Sequence, residues 1–397
     1  MDKLWNYRKK ILKRGRKYIA VNILEAILVL VILIIPRVFV LPKNVVNFYS
    51  ENIFPKIALL GNSFSDIFVF SLTEVLVICG SVSAIIYVIY VIVQIIKAEK
   101  RIGIRRLIFR RFITVVLTIA LFASATGTLM HKLNYYRSTA ASRLDIKGEY
   151  SDYYDFLETL EWAYKGMIYA RMQLGEDYNG VSHMITDFDT TVSDLNDLLD
   201  YFNYTYDMGM STNFIKCKPV MCSHYWSYTN IVGMYFSIFG EANINTDNMN
   251  TLEFPLTVAH EIIHAKGYAR EYDANSIGVL ALIFSERADF RYCGYYKIFS
   301  NLYSETCRYA DSLGLDEPDM ITSDYAAVVR DIEAQEAYWK QIDEEIENTF
   351  LLSDIDDISE SINNLYLKSN GQKEGTATYN VSPNIYVDFY RKYVIGE

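Results

Sequence analysis

Three long apolar runs dominate the first third of the chain. They extend over residues 18–40, 67–96 and 112–130. An α-helix needs roughly 20 such residues to cross the hydrocarbon core of a bilayer. The first run is too long for the apolar part of a signal peptide, and no small-residue cleavage site follows it. The pattern therefore predicts a membrane domain over residues 1–131 with three transmembrane helices, at about 18–40, 67–96 and 112–130.

Positive charges mark one side of these runs. A basic segment (3–17) precedes the first run, and a second basic segment (97–111) separates the second run from the third. Cytoplasmic loops of membrane proteins carry an excess of Lys and Arg. Both basic segments are therefore predicted to lie in the cytoplasm. Three crossings then place the link 41–66 and residues 132–397 outside it.

The rest of the chain alternates more finely between polar and apolar positions. Apolar and aromatic residues recur at three- and four-residue steps over 152–173 and 191–204, which is typical of amphipathic helices. Between 214 and 245 this period is lost and Gly and Asn become frequent, which predicts strands with a turn at Gly240. We therefore expect residues 132–397 to form a mainly α-helical (α+β) domain with a small β-sheet.

The stretch 241–245 is the candidate for an exposed edge of that sheet. An exposed edge strand can bind an extended peptide through main-chain hydrogen bonds. On this interpretation Glu241, Ala242 and Asn243 bind the substrate. An ordinary structural strand is an equally good interpretation of the same residues.

Charge divides the chain at the same boundary as hydropathy. Residues 1–131 carry a balance of +12 and residues 132–397 a balance of −22, which together give the net charge of −10. A strongly acidic globular part repels phosphate backbones, so the partner that the sequence indicates is a lipid bilayer and not a nucleic acid. Five cysteines are too few for a disulfide framework. Two pairs could be bridged outside the cytoplasm or stay as buried free thiols: Cys217 with Cys222, and Cys293 with Cys307.

The candidate chemistry is concentrated in residues 257–275, which read T-V-A-H-E-I-I-H-A-K-G-Y-A-R-E-Y-D-A-N. His260 and His264 are four residues apart, so both imidazoles lie on one face of a helix and can hold one metal ion. Glu261 lies beside them, where it can take a proton from a metal-activated water. Gly267 can end the helix, because glycine adopts positive φ without steric cost.

A third ligand is expected from the chain that folds back after the glycine. Glu271 and Asp273 are candidates, and Glu286 is a further one, because other H-E-x-x-H enzymes use a carboxylate roughly twenty residues on. Two histidines, one carboxylate and a fourth position left to water indicate a catalytic zinc site. Tyr379 is a candidate donor to the oxyanion that forms during hydrolysis.

These residues resemble the signature of a bacterial membrane-protein family known as domain of unknown function 3810. The stretch H-E-I-I-H-A-K-G-Y-A-R-E-Y-D-A-N is similar to the family pattern H-E-x-x-H-x-x-G-[FY]-A-R-E-x-E-A-N. Asp273 stands where the family usually has Glu, and its shorter side chain favours Glu271 as the ligand. Further similar segments are G-E-A-N-I-N (240–245), F-R-Y-C-G-Y (290–295), L-N-Y-Y-R (133–137) and Y-L-K-S-N-G (366–371).

The resemblance implies a zincin-like, zinc-dependent peptidase in the bacterial cytoplasmic membrane. Its N-terminus would be cytoplasmic and residues 132–397 extracytoplasmic, where they would hydrolyse peptide bonds of a protein or peptide substrate. The alternative is a catalytically inactive, membrane-tethered binding or scaffold protein with a structural zinc ion. The intact Glu261 argues against that alternative, because a structural zinc site needs no base.

Overall fold

The computed structural model describes residues 2–38, 41–98, 101–148, 151–320, 322–349, 361, 368 and 382–396. The described part is mostly helical, with one small mixed sheet of three strands. The helices are α1 (Asp2–Val38), α2 (Lys43–Phe48), α3 (Phe54–Ser65), α4 (Leu72–Lys97), α5 (Ile102–Met130), α6 (Ala140–Arg143), α7 (Tyr153–Arg171), α8 (Phe188–Tyr206), α9 (Ser223–Ser227), α10 (Phe254–Ala265), α11 (Glu271–Leu282), α12 (Ala288–Leu313), α13 (Tyr325–Glu347) and α14 (Asn384–Phe389). The strands are β1 (Lys218–Pro219), β2 (Gly233–Phe236) and β3 (Glu241–Ile244).

Three helices are long and apolar enough to cross a membrane. They are residues Lys9–Ile34 of α1, the whole of α4 and the whole of α5. This confirms the three predicted spans, although their ends differ. Helix α5 begins at Ile102 and includes four arginines that the hydropathy pattern assigned to a loop. Long basic side chains at the end of a spanning helix can reach water while their stems stay against apolar surface, so charge there does not end the helix.

The predicted link 41–66 is a helical segment that packs on other elements. After α2, a π-helical turn (Tyr49–Ile53) leads into α3. The buried residues of α3 are Phe54, Ala58, Asn62 and Ser65, at helical spacing. Phe54 and Ala58 form a small apolar cluster with Met130, the last residue of α5. Helix α3 therefore lies against the end of a membrane-spanning helix.

A polar contact joins α4 to the sheet. Glu241 at the start of β3 accepts hydrogen bonds from Ser65 Oγ, from the main-chain N–H groups of Leu72 and Thr73, and from Thr73 Oγ1. The first N–H groups of any helix have no partner within the helix, so a carboxylate there satisfies them. In return, Glu74 of α4 accepts from the main-chain N–H groups of Met221 and Cys222. We call this set of bonds the α4 clamp.

The strand order corrects the predicted substrate strand. Strand β3 lies in the middle, parallel to β1 and antiparallel to β2, and all four of its residues are buried. Glu241, Ala242 and Asn243 therefore do not form an exposed edge. Gly240 has a φ of +65° at the predicted turn into β3. The sequence located this strand correctly but could not reveal that β1, only two residues long, covers its other side.

Two helices predicted after the third apolar run are confirmed. Helix α7 lies within the predicted helix 152–173, and α8 covers the predicted helix 191–204. Helix α10 packs against α8, α11, α12 and strands β2 and β3, so it lies in the middle of the domain. All five cysteines are free, which leaves both candidate disulfide pairs unbridged.

Candidate metal centre

Helix α10 and the turn that follows it position the two histidines. Pro255 stands in the first turn of α10, where a missing N–H costs no hydrogen bond. The helix ends at Ala265, and Gly267 has a φ of +107°, which reverses the chain. A side chain at Gly267 would meet the ring of Phe54 and would also strain this backbone conformation. Helix α11 then starts at Glu271 and brings this carboxylate back to α10.

The three predicted ligands converge. Glu271 Oε2 lies 3.0 Å from His260 Nε2 and 3.2 Å from His264 Nε2. The ligand atoms of all three residues lie within 4.8 Å of one another, and all three residues are buried. Ligands about 2.0–2.1 Å from a tetrahedral zinc ion are separated by about 3.3 Å. The spacing of this triad fits a zinc site. Within the described ranges, it is the one such group of histidine, cysteine and carboxylate side chains.

The outer nitrogens of both imidazoles are fixed by acceptors. His264 Nδ1 donates to the carbonyl oxygen of Tyr268 at 2.6 Å, and His260 Nδ1 donates to Asn275 Oδ1 at 2.8 Å. Because each Nδ1 is engaged by these acceptors, both Nε2 atoms face Glu271 and are the atoms that could bind a cation. Partners of this kind orient metal-binding histidines and raise their basicity. The amide oxygen of Asn275 therefore supplies the acceptor that orients His260.

The charges inside the triad favour an ionised Glu271. Burial by itself raises the pKa of this carboxyl, but the neighbouring imidazoles outweigh burial and hold the pKa well below its ordinary value. For His264, burial lowers the pKa, and Glu271 more than compensates, so the pKa rises to about 9. A carboxylate that stays ionised in a buried pocket beside two imidazoles is a suitable donor for a divalent cation.

The pKa of Glu261 is shifted in the opposite direction from that of Glu271. It is only 6% exposed, yet its Oε2 has no hydrogen-bond partner. Burial raises the pKa of Glu261, and the two histidines oppose that rise. The carboxylate also accepts a hydrogen bond from the main-chain N–H of Tyr235. A buried acid with an unpaired oxygen beside a candidate metal site is a candidate for proton exchange with a bound molecule.

Strand β2 lies directly against Glu261. A Cβ atom added at Gly233 would come within 2.7 Å of Glu261 Oε1 and within 2.8 Å of its Cγ. A larger residue at this position would therefore displace the carboxylate. Strand β2 has a neighbouring strand on one side only, so the free edge of the described sheet is next to Glu261.

The other predicted site residues lie elsewhere. Asp273 accepts hydrogen bonds from the main-chain N–H of Ala140 and from Arg270 Nε, so its carboxylate holds the segment after α5 in place. Glu286 is exposed and is not part of the triad. Tyr379 lies outside the described residues.

Two residues near the triad were not among the predictions. His131 directly follows α5, and its ring lies 5.7 Å from that of His264 and 5.7 Å from that of Tyr235. Burial, and to a lesser degree the charge of His264, lower the pKa of His131 to about 3, which keeps this imidazole neutral. Tyr235 carries a buried hydroxyl without a hydrogen-bond partner. The available signal for His131 was its position, since it is the first residue after the third apolar run.

Comparison with known proteins defines the family of the chain. A search of curated proteins and a search of solved structures each gave no significant match. The family model described as Protein of unknown function (DUF3810) matches residues 49–386, which is more than four fifths of the chain. The match includes the triad, Glu261, the sheet and two of the three membrane-spanning helices. The chain therefore belongs to the DUF3810 family of proteins of unknown function.

Proposed function

We propose that this protein is a membrane-anchored, zincin-like metallopeptidase that hydrolyses peptide bonds close to the membrane surface. The observation that carries the proposal is the buried triad of His260, His264 and Glu271 beside an acid with an unpaired oxygen, Glu261. A structural zinc site is closed by four protein ligands, whereas a catalytic one leaves a position open. Three ligands and a nearby base correspond to the catalytic type.

The role of zinc would be that of a Lewis acid. Bound by the triad, it would polarise the scissile carbonyl and lower the pKa of a water at the open position to about 7. Tyr268 and Asn275 keep the two imidazoles oriented through their Nδ1 atoms. Glu271 supplies the negative charge that offsets the cation in a buried site.

Glu261 is the proposed general base. Its unpaired Oε2 can accept the proton of the attacking water and then deliver it to the leaving amine. The raised pKa of the carboxyl suits this shuttle, because an acid with an ordinary pKa holds a proton too weakly near neutral pH. The hydrogen bond from Tyr235 N–H and the contact with Gly233 keep the carboxylate in position.

The substrate would bind along β2 instead of β3. Strand β2 is an edge of the described sheet and runs past Glu261. An extended peptide added to such an edge gains main-chain hydrogen bonds largely independent of its sequence. This assignment replaces the predicted strand Glu241–Asn243 and keeps the predicted binding mode.

The proposed location is the outer face of a bacterial cytoplasmic membrane. Positive charges at the start of α1 and around the α4–α5 connection support a cytoplasmic position for that end of the spanning helices. His131 at the opposite end of α5 touches the triad, so the metal centre would lie just outside the bilayer.

The test is metal analysis combined with peptide cleavage. Purified full-length protein in detergent is expected to bind zinc and to cleave unstructured peptides, and a chelator should abolish cleavage until zinc is restored. Glu261→Gln is expected to keep its zinc and to lose about 10²- to 10⁴-fold in cleavage rate, the usual contribution of a general base. Bound zinc with no cleavage by either protein would overturn the proposal and support a binding or scaffold role.

A further inference from the structure

An exposed apolar surface borders the point where α4 begins. Leu60 and Phe64 on α3 are 74% and 53% exposed, and Ile67 and Val69 in the following loop are 73% and 80% exposed. We call these four residues the apolar rim. The opposite face of α3 is buried through Phe54, Ala58, Asn62 and Ser65. The helix is therefore fixed to the protein on one side and presents apolar side chains on the other.

The apolar rim is continuous with the membrane-spanning helices. Val69 stands three residues before Leu72, where α4 starts, and the α4 clamp fixes this junction to β3. On the other side, α3 packs on Met130 at the end of α5. Both neighbours of the rim thus belong to segments long and apolar enough to lie in lipid. A helix with an apolar exposed face next to spanning helices fits the boundary between head groups and acyl chains.

Strand β2 connects this surface with the metal centre. Gly233 at one end of the strand touches Glu261, whereas Phe236 at the other end packs on Phe239. Phe239 in turn packs on Phe64 of the rim. From Gly233 to Phe236 the strand rises about 10 Å, at about 3.3 Å for each residue. A peptide lying along this edge would pass from the rim to the metal centre within a few residues.

We propose that the apolar rim sits in the leaflet at this end of the spanning helices, and that the substrates are polypeptides anchored in the same bilayer. The scissile bond would lie in the extended stretch that leaves the lipid, within about four residues of the surface. This substrate class rests on the proposed function. The position of the rim in lipid does not, since it follows from exposure and continuity alone.

The position of the rim can be tested without any cleavage. Full-length protein carrying a fluorescent amino acid at position 60, 69 or 178 is reconstituted into phosphatidylcholine–phosphatidylglycerol vesicles that contain nitroxide-labelled lipid. Tyr178 is 96% exposed in the loop after α7 and serves as the control. Fluorescence at positions 60 and 69 is expected to fall at least twofold, and that at position 178 to stay unchanged. Equal quenching at all three positions, or self-association that shields position 60 from lipid, overturns the proposal.

The substrate class requires a paired comparison. A pool of randomised ten-residue sequences is offered to reconstituted protein either fused directly to the outer end of a single-span helix or as free peptides at the same total concentration. We expect the anchored pool to be cleaved at least tenfold faster, and a spacer of about 20 Gly and Ser residues to remove most of that advantage. Equal rates for free and anchored pools overturn the substrate class and leave the peptidase intact. Cleavage of neither pool, with Glu261→Gln matching the wild type, overturns the proposed function itself.

Discussion

Two buried glutamates of this protein, Glu241 in the α4 clamp and Glu261 in the candidate metal centre, differ in how many hydrogen-bond donors surround them. Glu241 is 2% exposed and accepts four hydrogen bonds from Ser65, Leu72 and Thr73. Glu261 is 6% exposed, and one of its oxygens has no partner at all. Both were predicted from the sequence as site residues. Burial therefore does not separate the structural acid Glu241 from the proposed general base Glu261, whereas the number of oxygens with a hydrogen-bond partner does.

The physical reason lies in the cost of burying charge. A buried carboxylate is stable only where donors or a cation replace the water it has lost. The N-terminus of α4 supplies such donors permanently. The oxygens of Glu241 are therefore already occupied and are not available to bind a ligand. Around Glu261 the lost water is only partly replaced, because Oε2 has no hydrogen-bond partner. A bound metal ion and its water would supply the missing interactions.

Glu241→Gln is expected to destabilise the protein by about 3 kcal/mol, because an amide NH₂ would face donors and the ionised acceptor would be lost. The measurement is the thermal midpoint in detergent, followed by intrinsic tryptophan fluorescence. Zinc content and cleavage by the protein that remains folded should equal those of the wild type. A midpoint that does not change would contradict the structural role given to the clamp.

Asn275→Ala is expected to weaken zinc binding by about 10- to 100-fold, because His260 Nδ1 loses its acceptor and the ring is no longer held. Competition with a chromogenic chelator measures the affinity. Asn275→Asp should restore it, since a carboxylate oxygen accepts the same hydrogen bond. If the Asn275→Ala protein binds zinc as tightly as the wild type, the orientation of His260 does not depend on this contact.

Glu261→Gln should have the opposite effect on stability from the same substitution at Glu241. In zinc-free protein, the neutral amide removes a buried acid with an unpaired oxygen, and the free energy of unfolding should rise by about 1 kcal/mol. The thermal midpoint after treatment with a chelator checks this. A lower midpoint would mean that Glu261 stabilises the fold and is not held there at an energetic cost.

His224 provides the smallest expected effect and a third case, a histidine with an acidic side chain at each ring nitrogen. Its Nδ1 lies 2.9 Å from Asp247, and its Nε2 lies 2.8 Å from Glu345. The hydrogen bond with Asp247 is the main reason why the pKa of His224 is raised, followed by burial, which opposes it, and by Glu345. The stabilisation is therefore complete below the unfolded pKa of about 6.5 and is lost as pH rises through the folded pKa.

His224→Gln should accordingly lower the free energy of unfolding more at pH 6 than at pH 9, by less than about 1 kcal/mol, because the side chain is partly exposed. Thermal midpoints at the two pH values measure the difference. Cleavage and zinc content should not change. A larger loss at pH 9 than at pH 6 would show that the charge on this histidine is not what stabilises the contact.

The sequence predicted the parts of the site that depend on local spacing. A four-residue step between His260 and His264, a turn at Gly267 and an acid at the start of the next helix are enough to place three ligands together. The three apolar runs likewise predicted the spanning helices, because length and hydropathy decide membrane insertion.

The contacts that the sequence could not predict all join distant parts of the chain. The position of β3 in the sheet depends on pairing with β1, whose two residues have no recognisable strand pattern. His131 contacts His264 only because the end of α5 lies next to the candidate metal centre. Glu241 looked available for a ligand because its partners lie about 170 residues earlier in the chain.

The proposed zinc site is tested most directly by the zinc content of three purified proteins: wild type, Glu271→Gln and Asp273→Asn. Asp273 is the matched control, because it is also a buried acid of α11 but binds Arg270 and the main chain of Ala140. We expect about one zinc ion per chain for the wild type and for Asp273→Asn, and at least about 100-fold weaker binding for Glu271→Gln. A wild-type protein that binds no zinc, or a Glu271→Gln variant that binds it as tightly, would contradict the proposed zinc site.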